Sequence, residues 1–338
     1  MTPYYRHFGL ERDPFLDTAD PHFYRTTPAL ARARDRLVGG VLESRGLQVV
    51  VGDPGTGKTS LMAQIERELL GRDDVRLGKI LDPSFATETE FLLGVARSFG
   101  LALPPRSPAA LKNALKNYLY DASVLDGLTI VLLVDEAQNA SDEIFEVLRL
   151  LLNYDVPQRK LLNIVLFGQS ELRPRVEARR NLADRVDEWY ELGALDPNEA
   201  RAMLAYRVVR AGGSDTSALF DDDVLDAIVG ASAGTPRRLL TLAHATLREA
   251  SAFGRPRAIR MDAEAAARMR GLIVPPPAAL PATIATAMPA TANGAASATA
   301  GAAAGTTAGG ANGEAAPVAP AAPRPWWHFS WLEAFRMR

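Results

Sequence analysis

The chain has 338 residues, 47% of them hydrophobic, with a formal net charge of −2, four histidines and no cysteine. That length and apolar content allow one or two buried cores, while the near-balanced charge excludes a strong overall field for nucleic acid or an anionic membrane and the missing cysteines exclude disulfides and thiolate metal sites. The first fifteen residues lack the charged-then-apolar layout of a secretory leader, and no run of about 18 lipid-compatible apolar residues occurs, so the expected location is cytoplasmic.

In chain order, "YYRHFGLERDPF" sets Phe8, Leu10, Pro14 and Phe15 close together. This apolar plug would either cover a ligand ring or seal a sheet edge. Residues 47–51 are a short apolar strand that runs into a glycine-rich loop. Residues 59–70 have helical spacing, with Leu61, Met62, Ile65 and Leu69 on one side. A weaker strand is expected at 78–81, and helices at 88–99 and 109–122. The stretch "TIVLLVDE", 129–136, is a strongly buried strand. A helix at 144–152, a buried strand "NIVLFGQ" at 163–169 and a candidate fifth strand at 189–192 follow. Continuous apolar strands alternating with helices predict a parallel sheet covered on both faces.

Beyond residue 195 the strands stop. Asp196 before Pro197, with Glu199 three positions on, is a helix start. Helices are expected at 200–209 and 222–231, from Thr235–Pro236 to about residue 250, and from Asp262 to about residue 270. Near residue 274 the composition turns to Ala, Pro, Gly and Thr, and up to Pro325 the only charges are Glu314 and Arg324. Few large side chains are left to bury there, which predicts a disordered linker. It ends in "WWHFSWLEAFRMR". The expected organisation is an α/β domain over 1–195, a small all-helical domain over 196–272, the linker over 273–325 and an aromatic peptide over 326–338. This last peptide suits a partner's groove or a membrane surface.

The loop Gly52-Asp53-Pro54-Gly55-Thr56-Gly57-Lys58-Thr59, followed by Ser60, fits G-x-x-x-x-G-K-[ST] at every fixed position. A loop that wraps a phosphate with backbone N–H groups needs glycines for close approach and positive φ. The next helix adds free N–H groups and its positive dipole end. Lys58 would supply charge to the β- and γ-phosphates, and the Thr59 hydroxyl would ligate Mg²⁺. A functionless glycine turn also fits the composition, but this loop follows a strand and opens a helix. In "IVLLVDEAQ", a buried strand delivers two carboxylates at its carboxyl end. Asp135 would hold Mg²⁺ through water or Thr59, and Glu136 would polarise an attacking water. The plainer reading makes both a polar strand end that caps the next helix.

Three more polar positions suit a nucleotide hydrolase. The strand carrying Gln169 should lie beside the first and third strands, which would bring Gln169 to the γ-phosphate or the water. Arg237, in "GTPRR" beside Arg238, could reach back over the nucleotide from the helical domain. Arg185, in "NLADRVDEW", could act on a neighbouring subunit's ATP, with Arg179 and Arg180 as rivals. Arg238 reads as a solvated helix charge, and Arg185, Arg179 and Arg180 are also readable as surface charges.

With those residues placed, the chain resembles the AAA+ P-loop ATPases, in the group that contains the ExeA/GspA-type general secretion ATPases, over about residues 3–271. "GDPGTGKTS" resembles the Walker A motif, "LLVDEAQN" Walker B, "IVLFGQSEL" the sensor-1 strand and "GTPRRLL" the sensor-2 motif, which assigns Arg237. "LADRV" resembles the region that supplies the trans arginine, which assigns Arg185, although Asp184 replaces a usual glutamine. The resemblance implies a parallel sheet flanked by helices, a helical lid, ATP and Mg²⁺ as ligands, ATP hydrolysis and a homo-oligomer. It further implies service to a type II secretion or type IV pilus system at the inner face of the cytoplasmic membrane. The family relatives are expected to carry a transmembrane helix and a peptidoglycan-binding domain after the ATPase, where this chain has the linker and aromatic peptide. DNA-associated ATPases of the transposition-helper or origin-binding type share the core. They are less favoured here, because no basic run occurs and the part before residue 274 is net negative.

Overall fold

The central strands of this chain carry near-continuous apolar runs because both faces of their sheet are covered. In the computed structural model, which describes residues 3–276 apart from 17–19, 103, 105–106 and 158, five strands form one parallel sheet. They are β1 (Leu47–Gly52), β2 (Val75–Ile80), β3 (Thr129–Val134), β4 (Asn163–Gly168) and β5 (Val186–Leu192), in the order β2-β3-β4-β1-β5. The sequence expectations from residue 277 onward, linker and aromatic peptide, lie outside the described residues.

Alternate side chains of each central strand enter different cores. Ile130, Leu132 and Val134 of β3 join Ile164 and Leu166 of β4 on one face. There they meet α3 (Glu88–Ser98), α4 (Pro108–Tyr120) and α5 (Asp142–Leu151) through Phe91, Leu115 and Phe145. Val131, Leu133, Val165 and Phe167 enter the opposite core. That face is covered by α1 (Pro28–Leu42) and α2 (Lys58–Leu70). Each Leu, Ile or Phe buried this way contributes about 1.5–3 kcal/mol. At the amino end of the sheet the buried Asn163 fixes the register: its Oδ1 accepts from Gly46 N–H at 3.1 Å and its Nδ2 donates to the Ile130 carbonyl at 3.2 Å. The carboxyl ends consequently align, with Val51 opposite Gly168 and Val134 opposite Leu166.

Several elements differ from the sequence expectation. The strand expected at 78–81 is Val75–Ile80, and Leu81 is exposed. The strand expected to reach residue 136 stops at Val134, because Glu136 takes a left-handed backbone conformation. The helix at Pro28–Leu42 was not anticipated; Thr27 caps it by accepting from Leu30 N–H at 3.2 Å, and Leu37, Val38 and Val41 are its buried face. A π-helical turn, Asp121–Leu125, follows α4.

The lid contains α6 (Pro197–Arg210), α7 (Asp222–Ser232), α8 (Pro236–Ala252) and α9 (Arg260–Arg268). Asp196 and Glu199 form the expected capping box at the start of α6. The last helix starts two residues before Asp262, whose carboxylate accepts from Ile259 N–H at 3.0 Å. The amino-terminal plug packs against the helical domain and not at the sheet edge. Leu10 and Phe15 are buried in the lid core, Phe15 beside Phe220, and Glu11 N–H donates to the Ala211 carbonyl at 2.8 Å. Among the described residues, no helix is long and apolar enough to cross a membrane.

Candidate active site

The loop between β1 and α2 is shaped by its glycines and closed by its own side chains. Gly55 and Gly57 have φ of +83° and +105°, a region open to glycine and costly for other residues. A Cβ at Gly55 would also lie 2.8 Å from the Cβ of Arg237, so the lid helix can rest on the loop only because residue 55 has no side chain. Thr56 turns inward, its Oγ1 donating to the Asp53 carbonyl at 2.8 Å, and Asp53 accepts from Ser170 Oγ at 2.8 Å. Lys58 is buried, and its Nζ donates to the carbonyls of Gly52 at 2.7 Å and Asp53 at 3.0 Å. Burial lowers its pKa, because a charged ammonium loses its water there. Those bonds hold the charge in the loop itself, at the place where phosphate oxygens would meet it.

The carboxylates stand just past β3. Asp135 is buried, and its Oδ2 accepts from Thr59 Oγ1 at 3.1 Å. Its pKa is raised, chiefly by burial. A threonine hydroxyl beside a carboxylate is a hard-oxygen pair of the kind Mg²⁺ takes. Glu136, with φ 49° and ψ 36°, points its carboxylate at Gln138, whose Nε2 donates to Oε2 at 2.6 Å. Gln169 follows β4, which does lie between β3 and β1.

A cleft of about 280 Å³ opens between sheet and lid. Gly55, Lys58, Thr59, Glu136 and Gln169 line it from the loop and strand ends, and Arg237 from the amino end of α8. Arg237 N–H donates to the Gly55 carbonyl at 3.3 Å. Pro54, Gly57 and Ser60 complete the loop side. A smaller apolar slot of about 70 Å³ shares Gly57, Ser60 and Met203 with the cleft and adds Phe23, Tyr24 and Leu195. The sequence-predicted residues Lys58, Thr59, Glu136, Gln169 and Arg237 thus meet at one cleft, with Asp135 hydrogen-bonded to Thr59 just behind.

Arg185 does not join them. It stands at the amino end of the sheet and lines a separate cleft of about 430 Å³ with Arg45, Lys160 and Asp187. Its rival Arg179 is engaged elsewhere: it pairs with Asp142 and stacks on Phe145. Sequence reasoning missed Arg207, a buried lid arginine that lines the cleft and donates to the Leu16 carbonyl at 3.0 Å. It also passed over Gln138. Helical spacing marks Arg207 only as one position on α6, while Gln138 stands inside a motif already in view.

Residues 41–176 match the AAA domain family. General secretion pathway protein A of Aeromonas hydrophila is 30% identical over 269 residues, which is 78% of this chain and 48% of that protein. The chain therefore spans about half the length of this curated relative. Among solved structures, the Aeropyrum pernix ORC2 protein in its ADPNP-ADP complexes has a TM-score of 0.57 at 17% identity, covering 76% of this chain and 71% of that one. Drosophila ORC bound to DNA has a TM-score of 0.59 at 18% identity, covering 78% and 66%. At such identities the likeness is one of fold, and function must be argued from the site.

Proposed function

We propose that this chain, which belongs to the AAA+ ATPases in the group of general secretion pathway protein A, hydrolyses Mg-ATP to drive assembly or remodelling of an envelope secretion or pilus system. The observation that carries the hydrolytic part is the Thr59–Asp135 hydrogen bond at 3.1 Å, with Lys58 and Glu136 facing the same cleft. A passive nucleotide binder needs the loop and the lysine; it does not need a second carboxylate at the cleft.

The triphosphate lies along the loop, where the N–H groups of residues 52–60 and the head of α2 meet it. Lys58 Nζ exchanges its carbonyl partners for phosphate oxygens. Thr59 and Asp135 would hold Mg²⁺, which would neutralise phosphate charge. The base enters the apolar slot beside Phe23 and Tyr24. Glu136 polarises the attacking water, and Gln169 contacts the γ-phosphate or that water. Arg237 reports the nucleotide's state to the lid, because its helix already touches Gly55. In a homo-oligomer, Arg185 completes a neighbour's site as an arginine finger.

The link to an envelope machine follows the relative's name, general secretion pathway protein A. Residues 326–338, with three of the chain's four tryptophans, capture the protein partner. Purified full-length chain is expected to hydrolyse ATP only with a divalent cation, and Lys58→Ala to lose about 100-fold or more in nucleotide affinity. Unchanged affinity would remove the cradle. Co-purification with and without residues 326–338 tests the partner: capture that survives the deletion refutes the peptide's role. A salt-sensitive rise in ATPase rate on adding DNA would favour a DNA-associated ATPase instead.

A further inference from the structure

Gln138 touches both ends of the hydrolytic apparatus. Its Nε2 donates to Glu136 Oε2 at 2.6 Å, and its Oε1 accepts from the backbone N–H of Gln169 at 3.0 Å. The two partners fix the amide's orientation together. Turned over, the amide would set its oxygen against a carboxylate and its NH₂ against a backbone N–H, losing both bonds. We infer that Gln138 is a positioning residue: it couples the end of β4, which carries Gln169, to the carboxylate of Glu136.

The surroundings leave this side chain little freedom. Its own carbonyl accepts from the Arg175 guanidinium, which also donates to the Ala140 carbonyl at 2.7 Å and stacks over Phe145 at 5.1 Å. The backbone from which Gln138 reaches is thereby tied to the short helix Leu172–Glu177 that follows β4. Gly168 makes the approach possible, since a Cβ there would lie 3.0 Å from Gln138 Oε1 and 2.6 Å from Leu172 Cδ2. Glu136 sits in the left-handed region at φ 49°, where a non-glycine residue persists only when its neighbours hold it. A shift of the Gln169 peptide on contact with the terminal phosphate would move the Gln138 amide and, through it, the Glu136 carboxylate. The Gln138 side chain spans from β3's end to β4's end.

The inference rests on the ATPase reading, and the test separates the two. Gln138→Met keeps the length and removes both hydrogen bonds. Gln138→Glu keeps an acceptor for Gln169 N–H but sets carboxylate against carboxylate at Glu136. In the full chain, Gln138→Met is expected to lower kcat about 10- to 100-fold, the cost of a misplaced reacting group, with KM and nucleotide affinity within about 2-fold of wild type. Gln138→Glu should lose at least as much kcat. Hydrogen exchange in the nucleotide-free protein gives a readout independent of turnover: the Gln169 amide should exchange faster in Gln138→Met and near the wild-type rate in Gln138→Glu. Wild-type kcat in Gln138→Met, a matched fall of kcat and nucleotide affinity, or unchanged exchange at Gln169 would each overturn the coupling. Should Gln138→Met fail to fold, Gln138→Asn, too short to span both partners, decides on the same readouts. If the wild-type chain shows no Lys58-dependent hydrolysis, the ATPase reading falls, and the exchange experiment still judges the bridge.

Discussion

At the carboxyl end of the sheet, Lys58, Asp135 and Glu136 each have a hydrogen-bond partner in their own chain. At the amino end, Arg185 lines an open cleft, and its buried Nε lacks a hydrogen-bond partner among the described residues. The first arrangement is preorganised, with donors and acceptors set before a ligand arrives, so little ordering cost remains on binding. The second leaves one buried guanidinium nitrogen without a hydrogen bond, beside the carboxylates of Asp184 and Asp187. A cradle of that kind can hold nucleotide by itself, while the proposed finger at the far end of the sheet would act only on another copy.

The largest effect is expected at Glu136. Glu136→Gln is expected to bind ATP normally and lose about 10²- to 10⁴-fold in kcat, the usual worth of a general base. Normal turnover would leave the carboxyl end as a binding site alone. Arg185→Ala should bind nucleotide as wild type and lose about 10³-fold in the assembled enzyme. Mixing it with Glu136→Gln should restore activity, because one interface in the mixture then carries both an intact Glu136 and an intact Arg185. If no mixture recovers, Arg185 is a surface charge. The smallest effect concerns stability. The pKa of Asp135 is raised by burial, so the folded protein binds this proton more tightly than the unfolded chain. Its contribution is complete below the unfolded-state value and is lost as pH rises through the folded-state value. Asp135→Asn should therefore melt higher than wild type at neutral pH, with the gap closing as pH falls into the carboxylate range, while hydrolysis is lost. Parallel melting curves at every pH would contradict the raised pKa of the buried carboxylate.

Much of the carboxyl end was legible in one dimension. The loop is contiguous, so residue spacing alone predicted that Gly52–Thr59 would turn between a strand and a helix. Buried strands with both faces covered leave continuous apolar runs, and those of β1, β3 and β4 were visible. The capping box at Asp196 and Glu199 is local, and it formed as expected. Illegible features depended on contacts distant in sequence. Helix α1 carries a Gly39–Gly40 pair and several arginines that blur its apolar stripe, and Gly40 is small because Gln48 of β1 packs where its Cβ would be. Glu136 reads as a strand residue until its left-handed backbone is seen. The aromatic opening gave no sign that its partner was the lid, some 200 residues on.

The sequence alone determined the chemistry available: a glycine loop able to surround phosphate, a lysine, a hydroxyl and two carboxylates, each defined by residue type and short-range spacing. Tertiary structure decided which of these groups meet. Parallel pairing of β3, β4 and β1 brought Glu136, Gln169 and the loop to one edge, the lid carried Arg237 onto Gly55, and Gln138 came to lie between two strand ends. The physical reason is range. Backbone propensities and capping act over a few residues, whereas hydrogen bonds and burial join whatever the fold brings within a few ångströms.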